Sequence, residues 1–318
     1  MSSTAKDLAR IFPGQVQVDV PLDQISHWKI GGTADVVVTP NGIEELSRLR
    51  SWLAEKDVAS VVIGATSNLL FSDEGLRSVV VRIGSSFADV AIEDDRLVAG
   101  AGAWVPGVAR RAMHAGLSGI EHTCGIPGTL GGLVVMNGGS QRKGIGDHVQ
   151  SVVSIDATGA LVRRTGDQCG FAYRTSTFQQ ADEVICSVTL QLGPPKESRL
   201  IRQEILGILR DRRLKFPRKQ PNCGSVFVSN PAMYEEFGPP GKVIEISGLK
   251  GMKLGDSQVS PLHANFIVNL GHATARDTLS LIRLVRDTVY EKTGYLMESE
   301  VRFVRPDGSM MPAHRAQP

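Results

Sequence analysis

The chain has 318 residues, 42% of them apolar and 21% charged, and its 35 basic and 33 acidic side chains leave a net charge of +2. That composition belongs to a globular protein of two or three domains with a substantial core. The near-balance of charge gives no reason to propose nucleic acid as the main partner. No run approaches the ~18 apolar residues of a membrane helix.

The N-terminal segment, Met1 to Gly14, is short and amphipathic, and it lacks the apolar core and cleavage pattern of a signal peptide. It reads as a helix. Val18-Asp19-Val20-Pro21-Leu22 and Ser26-His27-Trp28-Lys29-Ile30-Gly31-Gly32 follow, and Ala34 to Thr39 reads as a strand ending at Pro40. Asn41 is placed to cap a helix running to about Lys56, with Leu46, Leu49 and Leu53 on one face. Val61-Val62-Ile63 is a second buried strand that stops at Gly64-Ala65-Thr66-Ser67-Asn68, before Leu69-Leu70-Phe71 resumes the apolar pattern. Strand, helix, strand and small-residue loop make a βαβ-like unit with a ligand loop at the strand's carboxyl end.

From Ser78 to Val98 the pattern turns to short alternating strands with acidic turns, and Val105 to Ala115 predicts a helix closed by Gly116. The densest glycine stretch comes next, Gly116 to Gly139, centred on Gly125-Ile126-Pro127-Gly128-Thr129-Leu130-Gly131-Gly132. Glycine tolerates φ > 0 and carries no Cβ, so such a run brings bare backbone against a ligand. Its N–H groups form an anion-binding concavity without any charged side chain. The apolar run Leu133-Val134-Val135-Met136 predicts a strand sealing this loop into a core.

Val149 to Ile155, Ala160 to Thr165 and Val184 to Leu192 read as strands of a second layer, and Gly193-Pro194-Pro195 as a linker. Leu200 to about Lys215 is a helix with a basic C-terminal end, which suits the helix dipole. The loop Pro221 to Phe227 carries Cys223-Gly224-Ser225; Val243 to Ser247 is short and apolar, and His263 to Asn269 alternates into a strand. Thr278 to Lys292 is amphipathic, and Glu300 to Val304 is the last strand.

None of the glycine loops is a GxGxxG fingerprint or a GxxxxGK[ST] loop, so a nucleotide cofactor would be held in some other way. Ser225 is in no GxSxG elbow and has no evident His–Asp pair, which counts against a hydrolase. Arg174 and Glu300 have apolar neighbours, where each charge requires a partner; a mutual salt bridge is the simplest one. His27, His122, His148 and His263 lack metal-ligand spacing, so no metal is expected. Cys124, Cys169, Cys186 and Cys223 form no CxxC pair, which argues against a zinc site or a disulfide framework and fits a reducing cytoplasm. Cys124 and Cys223, in glycine-containing loops, read as small buried residues.

Taken together, the loops resemble the UDP-N-acetylenolpyruvoylglucosamine reductase family, in its shorter form. The landmarks WKIGG, SNLLFSDEG, GIPGTLGG with MNGG, AYRTS, CGSVF, GLKG, VSPLHANFIVN and ESEVRF occur in the family's order from about Leu22 to Val304. The resemblance implies an α+β fold: a two-subdomain FAD-binding portion of the vanillyl-alcohol-oxidase type and a separate α+β substrate-binding domain. The boundaries it suggests are 1–82 with 299–318 returning to it, 83–193, and 198–298. FAD would lie between the first two parts, lined by Gly64, Ser67, Asn68, Gly125, Ile126, Gly128, Gly132 and Asn137 and supported by Lys29, Ile30, Gly31 and Gly32.

The implied reaction is reduction of UDP-N-acetylenolpyruvoylglucosamine to UDP-N-acetylmuramate with NADPH as co-substrate, for peptidoglycan precursors, in a cytoplasmic monomer. Ser225 matches the serine that protonates the α-carbon of the enolate. Arg174 and Glu300 match the pair that polarises the substrate carboxyl group, and Tyr173, Lys215 and Asn230 would bind substrate. The usual glycine-rich loop is Ala65-Thr66 here, and both residues resist φ > 0, which predicts a differently shaped phosphate loop. Leu133 and Gly138 to Lys143 also depart from the family pattern. Two alternatives follow: an FAD-linked paralogue acting on another sugar or alcohol, and an inactive nucleotide-sugar-binding protein.

Overall fold

The computed structural model describes residues 2–318 and is a mixture of helices and small, mostly antiparallel sheets. Helix α1 (Ser3–Ile11) is capped by the Ser2 hydroxyl, which accepts from the Ala5 N–H. Strand β1 (Val16–Pro21) and the single turn α2 (Leu22–Ile25) lead to β2 (Thr33–Val38), α3 (Ile43–Glu55) and β3 (Ser60–Ile63). Helix α3 buries Leu46, Leu49 and Leu53 as its spacing predicts. Its start is one residue later than the Asn41 cap: Gly42 occupies the N-cap, and Glu45 reaches back to accept from the Asn41 N–H at 2.7 Å.

Short strands β4 (Leu69–Phe71), β5 (Leu76–Arg82), β6 (Val90–Glu93) and β7 (Arg96–Gly100) precede α4 (Val105–His114). The next element corrects the sequence reading. Leu130–Val135 is a helix, α5, not a strand. A short apolar run does not distinguish the two. The deciding feature is the burial of Leu130, Gly131, Leu133 and Val134 with Gly132 exposed, a helical period.

Strands β8 (Val149–Ile155), β9 (Leu161–Thr165) and β10 (Val184–Gln191) come where the alternation placed them. They close a five-stranded sheet in the order β6-β7-β10-β8-β9, antiparallel throughout. A four-stranded sheet runs β1-β2-β5-β3. Helix α6 (Ser198–Lys215) is followed by the short helices α7 (Pro231–Glu236) and α8 (Pro240–Ile246), so the apolar Val243 to Ser247 stretch is helical. Strands β11 (Lys253–Leu254), β12 (Ser257–Val259) and β13 (Ile267–Asn269) form a three-stranded sheet. Only the end of the alternating His263 to Asn269 run is strand. Helix α9 (Ala275–Thr293), strand β14 (Arg302–Val304) and strand β15 (Met310–Pro312) complete the chain.

By compactness the chain divides into two units, where the sequence suggests three parts. One holds the residues up to Val18 with Val37–Ala65 and Val80–Arg212; the other holds Asp19–Val36, Thr66–Val79 and Arg213–Pro318. In the first unit, α4 and α6 share an apolar cluster of Ala109, Met113, Cys124, Ile201, Ile205 and Ile208. In the second, one large core joins Trp28, Ile30 and Leu70 to Val226, Phe227 and the inward face of α9. Its sheet β15-β14-β4 pairs the C-terminal strand in parallel with β4, Arg302 opposite Leu69 and Val304 opposite Phe71.

Candidate active site

In the second unit, the loop carrying Ser225 is built by the side chain of Asn222. Its Nδ2 donates to the carbonyls of Pro217 at 3.0 Å and Gln220 at 2.8 Å, and its Oδ1 accepts from the Gly224 N–H at 3.0 Å. Gly224 has φ 77°, a left-handed conformation open to glycine at no steric cost. On the far side, Val226 donates its N–H to the Asn265 carbonyl at 2.8 Å, and the Asn265 side chain pairs with both backbone groups of Phe227 at 2.9 Å. Ser225 is thus held from both flanks while its own half-buried hydroxyl has no hydrogen-bond partner among the described residues.

The same unit brings Glu300 to this loop. Its N–H donates to the Val226 carbonyl at 2.8 Å, and its carbonyl accepts from the Asn68 Nδ2 at 3.0 Å. Asn68 also accepts from the Arg302 N–H at 3.0 Å, the first rung beside the β14–β4 pairing. Three stretches remote in sequence, those of Asn68, Ser225 and Glu300, are therefore tied by backbone bonds.

Thr66 corrects a second expectation. Despite its branched Cβ it adopts φ 56°. The strain persists because its hydroxyl is held at two points, accepting from the His27 N–H at 2.9 Å and donating to the Ile25 carbonyl at 3.0 Å. The loop thus takes a left-handed turn without glycine. His27 in turn sets its Nδ1 2.6 Å from the Asn222 carbonyl, and a carbonyl only accepts, so Nδ1 carries a proton.

Lys29 is exposed with φ 58°, its Nζ donating to the Gln24 carbonyl at 3.0 Å, while Ile30 is buried in the core. Gly31 and Gly32 leave no room for a Cβ: it would lie 2.8 Å from the Phe71 Cβ at the first and 2.3 Å from the Asp73 carbonyl oxygen at the second. Asn269 holds this loop from behind, donating to the Trp28 and Lys29 carbonyls at 3.1 and 3.2 Å. Asn230 caps α7, its Oδ1 accepting from Ala232 and Met233, and exposed Lys215 ends α6.

In the first unit, Gly64 follows β3, and a Cβ there would lie 2.4 Å from the Thr129 Oγ1. Segment Ala101 to Val105 lines up with the glycine loop, its carbonyls taking the N–H groups of Leu130 and Gly131 and the Val105 N–H reaching the Gly128 carbonyl. The N–H groups of Gly125, Gly128 and Gly132 find no acceptor among the described residues. That donor set fits a phosphate-bearing cofactor. Ile126 spends its N–H on the Thr123 carbonyl, and the Asn137 side chain is engaged at both ends, with the Ala172 carbonyl and the Gly146 N–H.

Tyr173 and Arg174 form the tip of a two-residue hairpin closed by reciprocal bonds between Ala172 and Thr175. Arg174 has φ 54°; its Nη2 donates to the Gly139 carbonyl at 3.1 Å and its Nη1 to Asn137 at 3.5 Å, and the guanidinium lies 5.1 Å from the exposed Tyr173 ring.

All four cysteines are buried thiols, Cys124 and Cys223 as expected; burial pushes Cys124 up to about 11 and Cys186 to about 12. Among the described residues no group of His, Cys, Asp and Glu is set to hold a metal ion. Sequence reasoning did not single out Asn222, Asn265, Asn269 or Gln179. The available signal was an uncharged polar residue beside a glycine loop or inside an apolar run.

A family model described as "UDP-N-acetylenolpyruvoylglucosamine reductase, C-terminal domain" matches residues 216–304, and one described as "FAD binding domain" matches residues 34–165. UDP-N-acetylenolpyruvoylglucosamine reductase 1 of Corynebacterium glutamicum is 44% identical over 303 residues, covering 95% of this chain and 90% of that one. The enzyme of Desulforamulus reducens is 39% identical over 306 residues, covering 96% and 99%. The crystal structure of UDP-N-acetylenolpyruvylglucosamine reductase from Thermus caldophilus superposes with a TM-score of 0.76 at 32% identity, over 91% of this chain and 99% of that one.

Proposed function

The chain belongs to the UDP-N-acetylenolpyruvoylglucosamine reductase family, and from that premise we propose how its own residues carry out the reduction. It is an FAD-dependent enzyme that uses NADPH to reduce the enolpyruvyl ether of a UDP-linked sugar, a step of peptidoglycan precursor synthesis. FAD, when bound, supplies the transfer of reducing equivalents from NADPH to the β-carbon of the enolpyruvyl group. Backbone amides of Gly125, Gly128 and Gly132 would hold its phosphates, together with Gly64, Ser67 and Asn68; Ile126 would line the flavin through its side chain, and Lys29, Ile30, Gly31 and Asn137 support the segments that carry them.

Reduction at the β-carbon leaves negative charge on the enolate and carboxylate of the substrate. The guanidinium of Arg174 stabilises that charge as it develops. Glu300, protonated, shares a proton with the same carboxyl group. The Ser225 hydroxyl then delivers a proton to the α-carbon and leaves the lactyl ether. Tyr173, Lys215 and Asn230 contact the substrate, Lys215 through the UDP diphosphate. Residues 1–82 and 83–193 would serve the flavin, with 299–318 returning to the first of them, and 198–298 would serve the sugar.

The observation that carries this reading is the held Ser225 loop: both flanks are fixed, the hydroxyl is unengaged, and Glu300 is bonded to the next residue. The test is anaerobic reduction of the holoenzyme with NADPH followed by the UDP-linked enolpyruvyl sugar. Prompt reoxidation of the flavin is the expected result, and a flavin that stays reduced overturns the substrate assignment. No helix among the described residues is long and apolar enough to cross a membrane. We take the enzyme to act as a cytoplasmic monomer.

A further inference from the structure

The hairpin that carries Arg174 is docked onto the C-terminal end of α5, and the side chain of Gln179 bridges the two. Gln179 donates from its Nε2 to the Arg174 carbonyl at 2.8 Å and to the Val135 carbonyl at 3.1 Å. An amide nitrogen has two hydrogens and both neighbours only accept, so the orientation of this amide is fixed by its surroundings. The Ser176 hydroxyl adds a second donor to the Val135 carbonyl at 2.7 Å. Asn137, just beyond α5, donates to the Ala172 carbonyl at 2.8 Å while accepting from the Gly146 N–H at 2.9 Å.

Arg174 needs such a frame. Its φ of 54° is unfavourable for a residue with a Cβ, and such a backbone persists only where its neighbours over-determine it. The reciprocal Ala172–Thr175 bonds close the hairpin but leave the Arg174 carbonyl pointing elsewhere, and Gln179 takes it.

We propose that Gln179 is a positioning residue for Arg174. By bridging the Arg174 carbonyl to the last turn of α5, it fixes the backbone from which the guanidinium is aimed, with Asn137 as the second strut. This rests on the reading of Arg174 as the group that stabilises substrate charge. Nothing in it requires Gln179 to touch substrate or flavin.

The test uses the FAD-loaded enzyme and reads its two half-reactions separately in Gln179→Met, a variant of similar size without donors. Reoxidation by the UDP-linked enolpyruvyl sugar is expected to slow about 10- to 100-fold, since small misplacements of a positioned group cost about that much. Flavin content and the rate of reduction by NADPH stay within about twofold of the parent enzyme, which a general loss of structure would not allow. In an Arg174→Ala background, adding Gln179→Met costs less than about twofold, because there is no guanidinium left to aim. The same full loss in that background overturns the proposal, as does a parallel fall in both half-reactions. An Arg174→Ala enzyme that reoxidises normally overturns the reading of Arg174 itself, a separate and recognisable result. Gln179→Glu, which keeps size and polarity but lacks the donors, gives the same measurement should Gln179→Met fail to fold.

Discussion

The backbone N–H of Glu300 donates to the carbonyl of Val226 at 2.8 Å, so the residue next to Ser225 and a residue of the bend that leads into β14 share one hydrogen bond. The proton donor and the acidic partner of the proposed reaction therefore have a fixed backbone relationship, although 75 positions separate their numbers in the sequence. Asn68 secures the other side of Glu300 by donating to its carbonyl. A side chain on either of these backbones moves with the other.

Ser225→Ala should leave the fold and the flavin untouched, because no protein group depends on that hydroxyl. Reduction by NADPH is expected at the parent rate, and reoxidation by substrate slower by about 10² to 10⁴, the usual contribution of a positioned acid. Stopped-flow absorbance of the flavin reads both. Equal loss in the two steps contradicts the assigned role.

Thr66 is a test of strain held by hydrogen bonds. Thr66→Val keeps the branched Cβ and removes the hydroxyl, leaving the His27 N–H and the Ile25 carbonyl without their partner. A loss of about 1–3 kcal/mol in unfolding free energy is expected, whereas Thr66→Ser, which keeps both bonds, stays near the parent. Urea melts of the two variants decide it; equal stability would mean that the hydroxyl does not hold the loop.

Asp73 accepts from the N–H groups of Ala275 at 2.7 Å and Arg276 at 3.0 Å, and so caps α9 from a remote segment alongside the helix's own Thr274. Asp73→Ala should cost about 0.5–2 kcal/mol. If the melt of Asp73→Ala superposes on the parent, the local Thr274 box is sufficient.

Acid should destabilise the protein before its carboxylates titrate. Burial holds His122, His263 and His314 below the ordinary 6.5; His148 and Lys143 add to the effect at His122, and Arg286 at His314. In the unfolded chain each takes up a proton near pH 6.5, in the folded chain only at lower pH. Stability from these groups is therefore complete above that pH and lost as pH falls from 6.5 through the depressed folded values. The thermal midpoint should be flat from about pH 7 to 8 and decline towards pH 5. His263→Gln should flatten that decline, and a slope unchanged by the substitution removes His263 from the account.

Much of this was legible in the residues. The helices α3, α4 and α9 follow from their apolar spacing, because each buries one face against its neighbours, and the strands β8 and β10 bury residues the same way. The α5 segment misled because its apolar run is shorter than either period needs, and only the exposure of Gly132 separates the two readings. Thr66 misled because propensity speaks for an isolated residue, whereas two hydroxyl bonds to distant backbone decide its conformation. Asn222, Asn265, Asn269 and Gln179 carry no periodic signal. Asn265 and Asn269 serve backbone groups that only the fold brings into reach. Asn222 and Gln179 serve groups two to five residues away whose exposure depends on the turn they sit in.

The pairing of β14 with β4 sets an order of events during synthesis. Leu69 to Phe71 are made 233 positions before their parallel partner, Arg302 to Val304. Strand β4, which follows the Asn68 loop, must therefore wait unpaired until those later residues exist. Such late, long-range closure is slow and leaves a strand edge exposed to wrong partners meanwhile. The β14–β4 ladder of the second unit is completed only once residues 302–304 are available.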